Sequence, residues 1–172
     1  MEFNLEDLKI GKVLDNLYIG PGDQVYNLLA HYPAEERPVA ILNVADDYSE
    51  KPHPRYVLYV HAGLNDGPPD WSAPWGEHNQ VKAYTNAILS LCWLLDYYTV
   101  FVHCHGGVSR SPFIAAWALG MKGIPLGEYK GASPDLFNRA YMILKQKYPR
   151  ANVHPKHFSQ LEIIASALNS IQ

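Results

Sequence analysis

The stretch Thr99-Val100-Phe101-Val102-His103-Cys104-His105-Gly106-Gly107-Val108-Ser109-Arg110-Ser111-Pro112 decides how this chain is read. Its first five residues carry the best strand signal in the sequence, being short, β-branched and aromatic. A glycine-containing turn follows, and an apolar helix is expected to start near Ser111-Pro112. Proline is tolerated in a first helical turn because its missing N–H has no partner there to lose. A buried strand thus delivers Cys104 to a tight loop that runs straight into a helix. Ligands of open α/β sheets bind at the carboxyl ends of strands, where this loop lies. Successive inward N–H groups and the positive end of a helix favour an anion in such a turn. Gly106 and Gly107 permit backbone angles that other residues resist. Arg110 offers a planar fork matched to two oxygens of a tetrahedral anion. The same field favours the thiolate, which is the nucleophilic form of cysteine.

Outward from this stretch, residues 12–19 read as a short strand or strand pair, with Leu17, Tyr18 and Ile19 ahead of Gly20-Pro21-Gly22. Residues 23–32 show helical spacing in Val25, Leu28 and Leu29 and stop before Pro33. Residues 39–44 and 56–60 are short apolar runs that read as buried strands, separated by a polar loop over 45–55. Val81, Tyr84, Ala87, Ile88, Leu91, Leu94 and Leu95 predict a helix over 77–97. Ser133 and Pro134 open another, to about Lys147, with Leu136, Ala140, Ile143 and Leu144 inward. Pro155 opens a last helix, with Phe158, Leu161, Ile164, Ala165 and Leu168 inward. Strands interleaved with helices predict an α/β fold. Its central, mainly parallel sheet has about four to five strands flanked by helices, with the phosphate-binding loop between a central strand and a helix.

The chain has 172 residues, and a single domain over 1–172 is expected. Charged residues make up 18%, below the roughly 25% of an average domain. Lys+Arg 14 against Asp+Glu 17 gives a net charge of -3, which excludes a broad surface for nucleic acid or anionic membrane. A local basic pocket is not excluded. Two cysteines cannot build a disulfide scaffold and fit a reducing, cytoplasmic location. Residues 1–10 carry three acids, so no signal peptide is expected. The apolar runs 87–95 and 113–119 are too short to span a bilayer, and the absence of a terminal cysteine argues against a prenyl anchor.

His-Cys-x-x-Gly-x-x-Arg-Ser over 103–111 resembles the signature of the cysteine-based protein tyrosine phosphatases, with Cys104, Gly107 and Arg110 at the matching places. Ser109-Arg110-Ser111-Pro112 is similar to the dual-specificity branch. Residues 12–20, KVLDNLYIG, resemble the opening segment of dual-specificity phosphatases, and Ile41-Leu42-Asn43-Val44 resembles their next strand. Residues 149–164, PRANVHPKHFSQLEII, resemble their closing helix, so the resemblance spans 12–165. It implies hydrolysis of phosphotyrosine, and of phosphoserine and phosphothreonine where pocket depth allows, through a phosphocysteine intermediate. Cys104 is then the nucleophile. The backbone of His105, Gly106, Gly107, Val108 and Ser109, with Arg110, binds the substrate phosphate.

The resemblance also implies a general acid from a loop after an earlier strand, here Leu64-Asn65-Asp66-Gly67-Pro68-Pro69-Asp70-Trp71. Asp66 is the first choice, because Gly-Pro follows it as a rigid turn needs, and Asp70 is the runner-up. The spacing from Asp66 to Cys104 exceeds that of compact family members, with residues 68–76 as the extra stretch. The plain alternative is that both are turn aspartates. Ser111 is implied to hydrogen-bond the leaving thiolate; the plain reading is helix N-capping, and both can hold at once. His103 is implied to orient the loop, which differs little from a satisfied buried histidine. His105 is expected to expose its side chain. Asn43 either braces the phosphate loop or serves a strand-end turn.

Cys92 reads as packing, with a redox partnership with Cys104 as the alternative. Trp93 and Trp117 are expected in core or semi-buried positions. Trp71 and Trp75 either wall the pocket or anchor the acid loop. A zinc site at His103-Cys104-His105 is disfavoured because successive strand residues point to opposite faces; no metal and no cofactor are expected. An arsenate reductase places its loop elsewhere, and a rhodanese leaves the flanking motifs unexplained. The remaining alternatives are a phosphatase of phosphoinositide, RNA or sugar phosphate, and a phosphate-binding pseudophosphatase. No lysine lies between Cys104 and Arg110, which favours singly phosphorylated protein side chains. The expected partner is a phosphorylated protein or peptide, with no nucleic acid or membrane, and the chain is expected to be a monomer.

Overall fold

In the computed structural model, which describes residues 4–30, 39–49, 57–64, 76–123, 127 and 130–171, the apolar runs form a five-stranded sheet. Its strands are β1 (Gly11–Leu14), β2 (Leu17–Pro21), β3 (Val39–Ala45), β4 (Val57–Leu64) and β5 (Thr99–Cys104). The helices are α1 (Val25–Ala30), α2 (Gly76–Tyr97), α3 (Arg110–Lys122), α4 (Pro134–Lys147), α5 (Pro155–Phe158) and α6 (Leu161–Ser170). Strand order is β1-β2-β5-β3-β4. β1 runs antiparallel to β2, and the pairs β2–β5, β5–β3 and β3–β4 are parallel. The expected mainly parallel sheet is present, and β5 is its middle strand.

Strand alternation sorts the core into two faces. Leu17 and Ile19 of β2, Ala40, Leu42 and Val44 of β3, and Val100, Val102 and Cys104 of β5 face the larger cluster with α2, α3, α4 and α6. Ile41 and Phe101 face the smaller one, against Val25, Leu28 and Leu29. All six residues of β5 are buried, as a strand covered on both sides requires. Register then fixes what meets at the carboxyl edge. Cys104 pairs with Pro21, and His103 with both Gly20 and Asn43.

Several local expectations shift. The last helix is broken into α5 and α6, because Ser159 Oγ donates to Lys156 O at 2.6 Å and competes with the helical ladder. On α4 the buried stripe is Phe137, Ala140 and Leu144; Leu136 is half-buried and Ile143 exposed. The helix is fixed at its start, where Ser133 Oγ accepts from Leu136 N. It turns Phe137 against Trp117, Phe113 and Phe158, rings that outweigh one isoleucine in buried area. Trp117 is buried as expected, but Trp93 is 54% exposed on the outer side of α2, with its ring near those of Tyr97 and Tyr98. β4 extends to Leu64, a residue expected in the loop beyond it. Among the described residues no helix is long and apolar enough to cross a membrane.

Candidate active site

Cys104 ends β5 and is 2% exposed. Gly107 N–H donates to its Sγ at 3.3 Å, and Ser111 Oγ lies 3.4 Å from the same sulfur. Both contacts follow from the turn. Gly107 has φ +72°, and a Cβ built on it would stand 2.5 Å from the carbonyl carbon of Gly20. A side chain there is excluded by backbone, which does not yield. At Gly106 a Cβ would meet nothing within 4 Å. The loop therefore requires one glycine of the pair. Ser111 is the second residue of α3, so its hydroxyl faces Cys104 from the first helical turn; the N-cap position belongs to Ser109. The capping alternative for Ser111 is thus not the one adopted.

Five of the loop's carbonyls are hydrogen-bonded, three of them by other segments of the chain. Cys104 O accepts from His103 Nδ1 at 3.0 Å and His105 O from Gly22 N at 3.2 Å. Gly107 O accepts from the Tyr148 hydroxyl at 2.8 Å, Val108 O from Asn152 N at 2.8 Å, and Ser109 O from Phe113 N at 3.0 Å. In a trans peptide the carbonyl and the next N–H point in opposite directions. Carbonyls turned away from the sulfur turn the following N–H groups toward it, and the Gly107 N–H, which follows the Gly106 carbonyl, is itself bonded to the sulfur. Such a ring of N–H groups at the start of α3 suits an oxyanion.

Arg110 is 3% exposed, with its guanidinium drawn to the ends of β3 and β4. Nη1 donates to Leu64 O at 2.9 Å and pairs with Asp47 Oδ1 at 2.9 Å and Asp46 Oδ1 at 3.3 Å. The hydrogen bond from Arg110 holds the Asp47 carboxyl below its ordinary range, against the opposing effect of burial. These two aspartates were not singled out in the sequence, where they sit in the polar stretch after β3. A signal was available: an acid pair directly following a buried parallel strand lies where such sheets collect their sites.

His103 is buried, with its ring edge-on to Tyr48 at 5.5 Å. His105 is exposed and its ring lies 5.6 Å from that of Tyr48. Asn43 is buried; its amide donates to Tyr48 O at 3.0 Å and to Tyr59 Oη at 3.3 Å, and accepts from Ala45 N at 2.9 Å. It thus braces the turn after β3, and its amide bond to Tyr48 O ties it to a residue whose ring lies against His103 and His105. Val108 and Ser109 are half-buried, and Ser109 Oγ accepts from His154 N at 3.0 Å. Asp66, Asp70, Trp71 and Trp75 lie outside the described residues. Cys92 and Cys104 are both free thiols. Among the described residues no three His, Cys, Asp or Glu side chains cluster to hold a metal.

The sequence matches no protein-family profile and no curated protein. Solved structures do match. Human DUSP28 is 19% identical with a TM-score of 0.65, over 93% of this chain and 95% of that one. DUSP15 is 23% identical with a TM-score of 0.60, over 92% of this chain and 88% of that one. OH1 of the Orf virus, a tyrosine phosphatase with triple substrate specificity, is 14% identical with a TM-score of 0.57, over 94% and 87%. At these identities the likeness is one of fold. The chain has the fold of the dual-specificity protein phosphatases.

Proposed function

We propose that the protein hydrolyses phosphate monoesters on protein tyrosine, with serine and threonine as the wider class, through a phosphocysteine intermediate. The observation that carries this reading is Cys104 Sγ held by Gly107 N–H and beside Ser111 Oγ, at the centre of a loop with outward carbonyls. The Cys104 thiolate attacks phosphorus in line; the S–P bond forms as the P–O bond to the leaving group breaks. The leaving oxygen takes a proton from the general acid. Water then attacks the phosphocysteine, gives its proton to the same carboxylate, and breaks the S–P bond, releasing inorganic phosphate. Ser111 donates to the departing thiolate. Inward N–H groups and Arg110 bind the equatorial oxygens, whose charge the transition state must spread.

Asp66 is the proposed general acid, with Asp70 as runner-up. A general acid must carry its proton near neutral pH. Asp47 is unsuited, because its pairing with Arg110 holds it ionised. Asp46 and Asp47 instead orient the guanidinium. The lack of lysine between Cys104 and Arg110 supports singly phosphorylated protein side chains over polyphosphorylated inositols. The test is hydrolysis of para-nitrophenyl phosphate without added metal, followed by phosphopeptide and phosphoinositide panels. Turnover with competitive vanadate inhibition and a preference for phosphopeptide is expected. Activity abolished by a chelator, or a preference for phosphoinositide, contradicts the proposal.

A further inference from the structure

Three of the bonds that hold the phosphate loop come from one segment just after α4. The Tyr148 hydroxyl donates to Gly107 O, Asn152 N to Val108 O, and His154 N to Ser109 Oγ. Tyr148 alone among these three donates from its side chain. Its target is the peptide that follows a glycine at φ +72°. A peptide beside a glycine meets little steric resistance to rotation, so this is where the loop needs an outside hold. Rotation there would point Gly107 O, instead of Val108 N–H, at a bound anion.

We propose that Tyr148 is a positioning residue for the phosphate loop, fixing the Gly107–Val108 peptide with its N–H turned toward the substrate phosphate. The inference rests on the phosphatase reading. Tyr148 is suited to the task because its ring is itself fixed. It is buried, and a Cβ on Gly11 of β1 would stand 2.6 Å from its Cδ2. Its hydroxyl also lies 3.5 Å from Lys9 O. Burial pushes its phenol up from the ordinary value, so it stays protonated and remains a donor across the range in which thiolate chemistry runs. An N–H that touches only the phosphate oxygens contributes to anion affinity and to the transition state together.

The test is Tyr148→Phe, which keeps the ring and removes only the donor. Vanadate affinity by calorimetry and kcat/KM on para-nitrophenyl phosphate should each fall about tenfold, as expected for one charge-assisted hydrogen bond. Tyr141→Phe is the control. Its hydroxyl accepts from Val153 N at 3.2 Å on the same segment, so its loss tests the segment without touching the loop. It should lower the melting temperature to a similar degree and leave vanadate affinity within twofold. Equal vanadate affinity for wild type and Tyr148→Phe, or equal loss in both variants, overturns the inference. Should Tyr148→Phe fail to fold, amide exchange in the wild type decides. Val108 N–H should gain protection when vanadate binds, and no gain is the contrary result. A wild type that neither binds vanadate nor turns over the ester overturns the phosphatase reading together with this one. An active wild type with an unchanged Tyr148→Phe overturns this one alone.

Discussion

Cys92 and Cys104 are both buried thiols facing the same core cluster, 8% and 2% exposed, yet their immediate surroundings differ. Cys92 sits within α2, where every backbone N–H beyond the first turn is committed to the helix. Burial pushes its thiol up to about 12; Lys122 pulls it down, but less strongly, and Asp96 adds to the rise. Cys104 ends a strand just ahead of a helix start, where the Gly107 N–H donates to the sulfur and the Ser111 hydroxyl lies beside it. Burial by itself makes a cysteine inert. Burial at the junction of a parallel strand and a helix sets it against a backbone N–H and a hydroxyl.

The largest effect expected from this contrast is loss of the proposed nucleophile. Cys104→Ser should lower turnover of para-nitrophenyl phosphate by on the order of 10⁴-fold or more while phosphopeptide still binds. Cys92→Ala should leave turnover within about twofold, at a stability cost of roughly 1 kcal/mol for the small cavity. Substantial activity in Cys104→Ser would break the comparison outright. Iodoacetamide labelling near pH 7, read by mass spectrometry, should mark Cys104 and spare Cys92, since a thiol at about 12 stays neutral there.

Next comes the donor to Sγ. Gly107→Ala should destabilise the fold by roughly 3 kcal/mol, through both its positive φ and the contact with Gly20, and Gly106→Ala by less than about 0.5 kcal/mol. Equal melting temperatures for the two variants would show that the tight turn is not what presents the N–H. Asp66→Asn should lower kcat roughly 10²-fold with little change in the affinity for a simple ester. If Asp70→Asn does so instead, the acid is the runner-up.

The smallest effect concerns Asp47, whose side chain is 55% exposed. Asp47→Asn should reduce kcat/KM by roughly threefold to tenfold by loosening Arg110. Its pH dependence has a definite sign. The folded carboxyl lies below its ordinary 3.8, so its stabilisation is complete above 3.8 and fades as pH falls through the folded value. Acid titrations of wild type and Asp47→Asn should therefore run parallel from pH 5 to 8 and converge only at stronger acid. Divergence near neutrality would mean that Asp47 is not the paired carboxylate.

Legibility in the sequence followed the range of the contact. Four strand regions, the order of strands and helices, and the inward face of α2 were readable, because apolar runs and a period of 3.6 residues are local properties; whether residues 12–19 make one strand or two was left open, and α3 is buried all round. The stripe on α4 was misread by one position because Leu136 and Phe137 fit the period equally well; the aromatic cluster around Trp117 chose between them. Trp93 was misplaced for a related reason. Its size argued for burial, but its angle on α2 did not. The break at Ser159 turned on one hydroxyl competing with the helix backbone.

By itself, the sequence determined the loop from Cys104 to Ser111 on which the proposed chemistry rests, because a strand end, a tight turn and a helix start within eight residues leave few geometries, and the glycine and arginine select among them. Only the tertiary structure decided what steadies that constellation. Arg110 meets Asp46 across 64 residues of chain, and Tyr148 reaches Gly107 across 41. Separations of that size carry no periodicity. They come together because parallel pairing stacks the carboxyl ends of β3, β4 and β5 along one edge, and because α4 packs so that its last turn delivers Tyr148 to the back of the loop.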